Sequence, residues 1–189
     1  MSMKPACLAA SLVFLVGQSV FVTGVKAAEV DMAHSRVSIV FRAMTAPIEA
    51  QFKRFSATIE YDAANSQAAK ASVVIDTKSL DLGDTEYNKV VAQKEWLDTA
   101  RYPSANFNLV SIKTSSGNTL LVIGKLTIKG KTADLSIPVM VKAENGANVF
   151  EGRIPIRRLA FNLGEGEWKD TGVVADEVVI AFRLVLTKQ

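Results

Sequence analysis

Residues 120–132, LLVIGKLTIKGKT, read as one half-buried β-strand that runs into a turn. Leu120, Val122, Leu126 and Ile128 recur at period two, Gly124 stands where one member of that row lacks a side chain, and Lys125, Thr127 and Lys129 take the opposite face. A glycine inside a strand marks a bend, a bulge or a close approach of backbone, and Gly130 beyond the last apolar residue marks a turn at positive φ. The alternation restarts at once in Leu135, Ile137, Val139 and Val141. Two amphipathic strands joined by about four residues make an antiparallel hairpin with one wet face. The rest of the chain must cover the dry one.

Outward from this hairpin the same pattern recurs. Strands are expected at Phe107–Ile112, Phe150–Ile156 and Glu177–Leu186, the last with Val178, Ile180, Phe182, Leu184 and Leu186 as an unbroken apolar face. Upstream, Val37, Ile39 and Phe41 alternate with polar neighbours, Phe52–Tyr61 carries Phe55, Ala57, Ile59 and Tyr61 on one face, and Ala71–Asp76 forms a further strand. One helix is expected over residues 84–97: Asp84 caps it, Tyr87, Val90, Val91, Lys94 and Leu97 fit spacings of three and four, and Pro103 stops any continuation. About eight strands, short polar turns and a single helix predict a closed antiparallel β-barrel or a sandwich. The barrel is favoured, because closure removes the edges that long one-sided strands would otherwise expose. Pro138 and Pro155 each take a donor out of a ladder and sit less easily in that picture.

With 189 residues, 49% hydrophobic and 22% charged, the chain can bury a core of its own, and one domain is expected. Its first residues differ in kind: Lys4, an apolar run from Ala6 to Val22 and small residues at Ala27 and Ala28 predict a signal peptide cleaved after Ala27, leaving residues 28–189 as the exported, periplasmic domain. Cys7, the one cysteine, lies in that leader, so the mature domain has no thiol or disulfide chemistry. Residues 1–27 hold Lys4 and Lys26 and no acid, so removing them takes the formal charge from +3 to +1. That balance excludes a nucleic-acid footprint.

Catalytic signals are sparse. His34 is the only histidine, which excludes most zinc and triad chemistry, and no metal or cofactor is expected. The loop GEGEWKD, residues 164–170, gathers Glu165, Glu167 and Asp170 at a spacing unlike a calcium loop, and its Trp168 is placed to close the end of a barrel. Gly130-Lys131-Thr132 lacks the upstream glycine and following helix of a phosphate loop. Asp76, Asp81 and Asp84 are explained by capping and turn duties. What remains is apolar: the phenylalanines exceed what hairpins need, and they either fill a core or line a cavity for a long apolar ligand, with Arg42 and Arg157 as candidates for an anionic head at its mouth.

Asp31-Met-Ala-His34-Ser35, Val74-Ile75-Asp76 with Ser79-Leu80, Trp96-Leu97-Asp98 followed by Tyr102-Pro103, Phe107, Gly124–Thr132 and Phe161 with Asp176-Glu177-Val178 together resemble the YceI family over nearly the whole mature chain. The resemblance implies an exported bacterial protein with a lipocalin-like, extended antiparallel β-barrel that holds a polyisoprenoid or similar long-chain amphiphile. It implies no enzymatic activity. Some relatives accompany b-type cytochromes, so an isoprenoid quinone is one ligand class, and a membrane b-type cytochrome and a second copy of the chain are candidate partners. The expected lining is Phe41, Phe55, Ile75, Phe107, Leu126, Ile128, Phe161 and Phe182. Gln51-Phe52, where family members often carry a glycine, and an atypical segment from Met44 to Ala50 are departures at the barrel entrance. Two rival functions are a filled barrel acting through protein contacts, in envelope stress or at a membrane cytochrome, and an enzyme using Asp76 or the Glu165 and Glu167 pair. The second lacks a nucleophile and base at recognisable spacing.

Overall fold

The structure, a computed structural model, describes residues 29–114 and 117–187; the expected leader lies outside them. The strands are β1 (Arg36–Ala43), β2 (Ala46–Phe52), β3 (Phe55–Glu60), β4 (Lys70–Asp76), β5 (Leu80–Asp81), β6 (Ser104–Thr114), β7 (Thr119–Ile128), β8 (Lys131–Glu144), β9 (Ala147–Arg157) and β10 (Val174–Thr187), with one α-helix, α1 (Thr85–Val91). All pairings are antiparallel, in the order β3-β4-β6-β7-β8-β9-β10-β1-β2-β5. β2 runs on into β3 and β4 into β5 through one shared corner. Lys53 N–H reaches Ser79 O at 3.0 Å, Asp76 N–H reaches Arg54 O at 3.1 Å, and the Ser79 hydroxyl accepts from Arg54 N–H (3.0 Å) while donating to Asp76 O (2.7 Å). The ladder therefore passes through the corner, and the sheet curls back on itself as a barrel. Counting each kinked pair as one strand gives the eight expected. The strand read as Phe52–Tyr61 is in fact broken at the corner, and β2 before it was not foreseen.

The central hairpin is tighter than its sequence reading. Its turn is two residues, Lys129 and Gly130, with φ of 46° and 72°, the doubly positive geometry that matches strand twist. The Tyr102 ring packs on Gly130 so closely that a Cβ there would sit 3.0 Å from it. Thr77 N–H and hydroxyl donate to Pro103 O (3.0 Å) and Tyr102 O (2.8 Å). Asp76-Thr77, Tyr102-Pro103 and Gly130, far apart in sequence, thus form one node. Lys129, assigned by alternation to the wet face, is buried instead.

The helix is also shorter than the 84–97 predicted. Asp84 caps it as expected, accepting from Glu86 and Tyr87 N–H, but the chain leaves the helix after Val91 through irregular turns, with Asp98 at φ 47°. Past that exit Leu97 is buried in the core and Trp96 is on the cavity wall.

β8 and β9 pair only from Val139 with Gly152 to Glu144 with Ala147, so residues 131–138 and 153–157 have no partner strand on their facing edges. Pro138 and Pro155 fall in these unpaired stretches, where a missing donor costs no ladder bond. Beside the paired half, Lys142 binds Glu151 at 2.7 Å and Arg183 binds both Glu151 and Glu144. Hydrogen bonds from Lys142 first, and from Arg183, hold the Glu151 carboxyl below its ordinary value of 4.5. A depressed carboxyl contributes stability above 4.5 that disappears as pH falls through the folded value. Urea midpoints are therefore expected to drop on acidification below pH 4.5 and to drop less in Glu151→Gln.

Candidate functional site

Residues from all ten strands surround a cavity of about 680 Å³ whose wall is overwhelmingly apolar. Phe41, Ile75, Phe107, Leu126, Ile128 and Phe182, six of the expected lining residues, are on that wall. Phe55 and Phe161 are not. Phe55 packs against the core at the corner, opposite Ile75, and Phe161 is buried in a short 3-10 turn after β9. Phe52, Ile137, Val139, Ile154 and Ile156 also line the cavity, beyond the expected lining set.

Two glycines give the wall its shape. A Cβ at Gly124 would overlap the Phe107 ring, and one at Gly152 would overlap the Phe182 ring. Each phenylalanine ring lies over the bare backbone of a glycine on a neighbouring strand, in the space a side chain there would take. Gly152→Ala is expected to push the Phe182 ring inward at a cost of about 1–3 kcal/mol, narrowing the cavity. A thermal melt and a crystal structure of the variant check both parts.

Trp96, Leu163, Trp168 and Arg158 line the cavity together. Trp168 stacks obliquely on Trp96, with ring centroids 5.6 Å apart, and both rings are on the cavity wall. Arg158, 1% exposed, went unnoticed in the sequence. Its signal was available: Ile154, Ile156 and Arg158 share a period-two row, so Arg158 faces inward while Arg157 faces out. Its guanidinium spends all of its donors on main-chain carbonyls, those of Ala175, Leu163, Gly164, Trp168 and Val174, at 2.7–3.1 Å, and lies 5.4 Å above the Trp96 ring. Burial pulls its pKa below the ordinary value, opposed by the charge of Asp176. Lys129 is saturated in the same way, by Lys94 O (2.6 Å), Asn162 O (2.7 Å) and the Glu165 carboxylate (3.1 Å). These two cations staple the closing loop, residues 162–174, and have no donor left for a ligand.

The proposed mouth arginines stand outside the cavity. Arg42 donates to Thr45 O at 2.9 Å, and Arg157 pairs with Asp176 at 3.2 Å on the exposed side. Tyr61, on the wall and edge-on to Phe150 at 5.0 Å, has its phenol pushed up by burial and by Asp62. Among the described residues no three histidine, cysteine or acidic side chains converge as metal ligands, and no helix is long and apolar enough to cross a membrane. His34 is exposed and bonded to Asp31 at 2.7 Å, while Asp76, Asp81 and Asp84 bond the N–H groups of Lys78, Gly83 and Glu86.

A family model described as the YceI-like domain matches residues 29–186. The chain belongs to the YceI-like family. Within it, the chain is 36% identical over 109 residues to a UPF0312 protein of Pseudomonas savastanoi pv. phaseolicola, covering 57% of this chain and 53% of that one. It is 37% identical over 86 residues to Protein YceI of Escherichia coli, covering 46% and 44%. These matches thus span about half the length of those curated relatives. Burkholderia cenocepacia BcnA superposes with a TM-score of 0.82 at 48% identity, over 84% of this chain and all 100% of that one. A polyisoprenoid binding domain from Saccharophagus degradans superposes at 0.70 and 17% identity, over 87% of this chain and 100% of the other, a likeness of fold alone. This YceI-like chain therefore shares with them an antiparallel sheet curled round an interior.

Proposed function

We propose that this YceI-like protein is an exported binding or carrier protein, without catalytic activity, that holds a polyisoprenoid lipid or isoprenoid quinone inside its barrel in the periplasm. The observation that carries the reading is the apolar cavity of about 680 Å³ together with the saturation of Arg158 and Lys129 by the protein's own backbone and Glu165. Among the described residues the one buried side-chain polar atom without a partner is Trp96 Nε1, so the wall selects a ligand chiefly by its hydrocarbon. Burial contributes about 0.8 kcal/mol per methylene, so a long chain binds tightly without a polar anchor. The polyisoprenoid binding described for the Saccharophagus domain supports the same ligand class. A leader at residues 1–27 supports export. The filled-barrel alternative, acting through protein contacts, expects an interior with no room for a chain, and the cavity weighs against it.

Native mass spectrometry of the protein purified from the periplasm, followed by extraction, tests the reading. A stoichiometric isoprenoid or quinone is expected. A bare mass that stays bare after incubation with such lipids would return the function to protein contacts.

A further inference from the structure

Seven large apolar side chains stand exposed among the described residues, and three of them, Met44 (75%), Tyr87 (63%) and Val173 (37%), also line the cavity. They come from three separate segments: the β1–β2 turn, α1 and the loop before β10. Met44 N–H donates to Val173 O at 2.7 Å, so the turn and the loop are fixed to each other. Each of the three is exposed and on the cavity wall at once, so the cavity reaches the surface at these side chains, an apolar lip.

Met44 is the telling residue. Its φ of 52° is left-handed, a conformation that a hairpin turn gives to glycine, asparagine or aspartate. The fold neither buries this side chain nor favours its backbone, and Arg42, donating to Thr45 O at 2.9 Å, braces the turn that presents it. A large apolar group held out at such a cost acts on something outside the chain. Resting on the carrier reading, its partner follows from the cargo. A long isoprenoid is insoluble in water and resides in a bilayer, and the lip is continuous with the wall that would receive it. The charges on and beside these segments are Arg42, Lys89 and Lys169 against Asp84, Glu86, Glu165, Glu167 and Asp170, with Lys89 paired to Glu86 at 2.7 Å and Glu165 to Lys129 at 3.1 Å, so the attraction is to the hydrocarbon rather than to anionic headgroups.

We propose that the lip of Met44, Tyr87 and Val173 seats the mouth of the cavity in the surface of a lipid bilayer, so that cargo moves between membrane and lumen without crossing water. The test uses the mature protein loaded with a long-tailed isoprenoid quinone and acceptor vesicles of neutral phosphatidylcholine. Transfer by contact has a rate that rises with acceptor concentration, and this rise is expected in the native protein. The variant Met44→Asn with Tyr87→Ser removes the lip while giving the turn a residue that suits it, so folding is protected, and a thermal melt checks this. It is expected to slow transfer by about tenfold or more, beyond any loss of equilibrium occupancy measured separately. A rate independent of acceptor concentration, or unchanged in the folded variant, overturns the proposal. So does a native dimer that the variant splits while neither form floats with vesicles, which would make the lip a contact between copies of the chain. Flotation needs no cargo: a protein that carries no quinone yet floats with vesicles through this lip removes the carrier reading and leaves the docking surface standing.

Discussion

Replacing Arg158 by methionine is expected to destabilise the protein by about 3–5 kcal/mol, because a buried hydrogen-bonded charge cannot be removed without stranding its partners. Methionine fills much of the volume but donates nothing, so five carbonyls, those of Ala175, Leu163, Gly164, Trp168 and Val174, lose their donor inside the protein. The Trp96 ring also loses the cation above it. The closing loop is then held to the barrel mainly by Lys129 and by the N–H groups of Gly164 and Glu165 on Glu95 O, at 2.7 and 2.9 Å. Chemical denaturation measures the loss, and hydrogen exchange at residues 163–174 is expected to rise selectively. Arg158→Lys restores the charge with fewer donors, in a geometry that cannot fork, and is expected to recover only part of the stability. A methionine variant as stable as the parent would remove the guanidinium from its role as the staple of the barrel end.

Phe107→Asp is expected to abolish retention of a long-chain lipid by a folded protein. The Phe107 ring lies over Gly124 on the cavity wall, so aspartate both deletes apolar surface and sets an ionised group among hydrocarbon. Water drawn to that carboxylate enters the lumen that the chain must occupy. Retention weaker by about a hundredfold or more is expected, combining the lost burial with the cost of desolvating the new charge. Val110→Asp is the matched control, since Val110 is on the same strand but 58% exposed. It adds the same charge outside the lumen, and native mass spectrometry is expected to find its cargo in place. Unchanged cargo in a folded Phe107 variant would take Phe107 out of the binding wall.

Alternation along residues 120–128, 135–141 and 178–186 was enough to sort each strand into an apolar and a polar face, because a strand's side chains can only alternate and apolar ones leave water. That set the all-β class and the hairpins; which face lines the lumen was decided by the tertiary structure, which puts Phe41, Phe107 and Phe182 on the cavity wall. Period says nothing of what lies across the barrel. Whether the interior is filled depends on the sum of all walls at once, and here Phe107 and Phe182 take the space over Gly124 and Gly152, each on a neighbouring strand. Phe55 and Phe161 have suitable sequences and miss the cavity, one held at the corner and the other beyond the strand end. The corner itself, which divides β2 from β3 and returns the sheet to its start, rests on bonds between residues 53–54 and 76–79 that no local pattern announces. Arg158 was visible as a charge on an apolar row, but only the fold shows that its donors are all spent. Local sequence thus determined the division of each strand into two faces, a property of one strand, while the choice of lumen face, closure, volume and the fate of buried charges depend on distances between segments far apart in the chain.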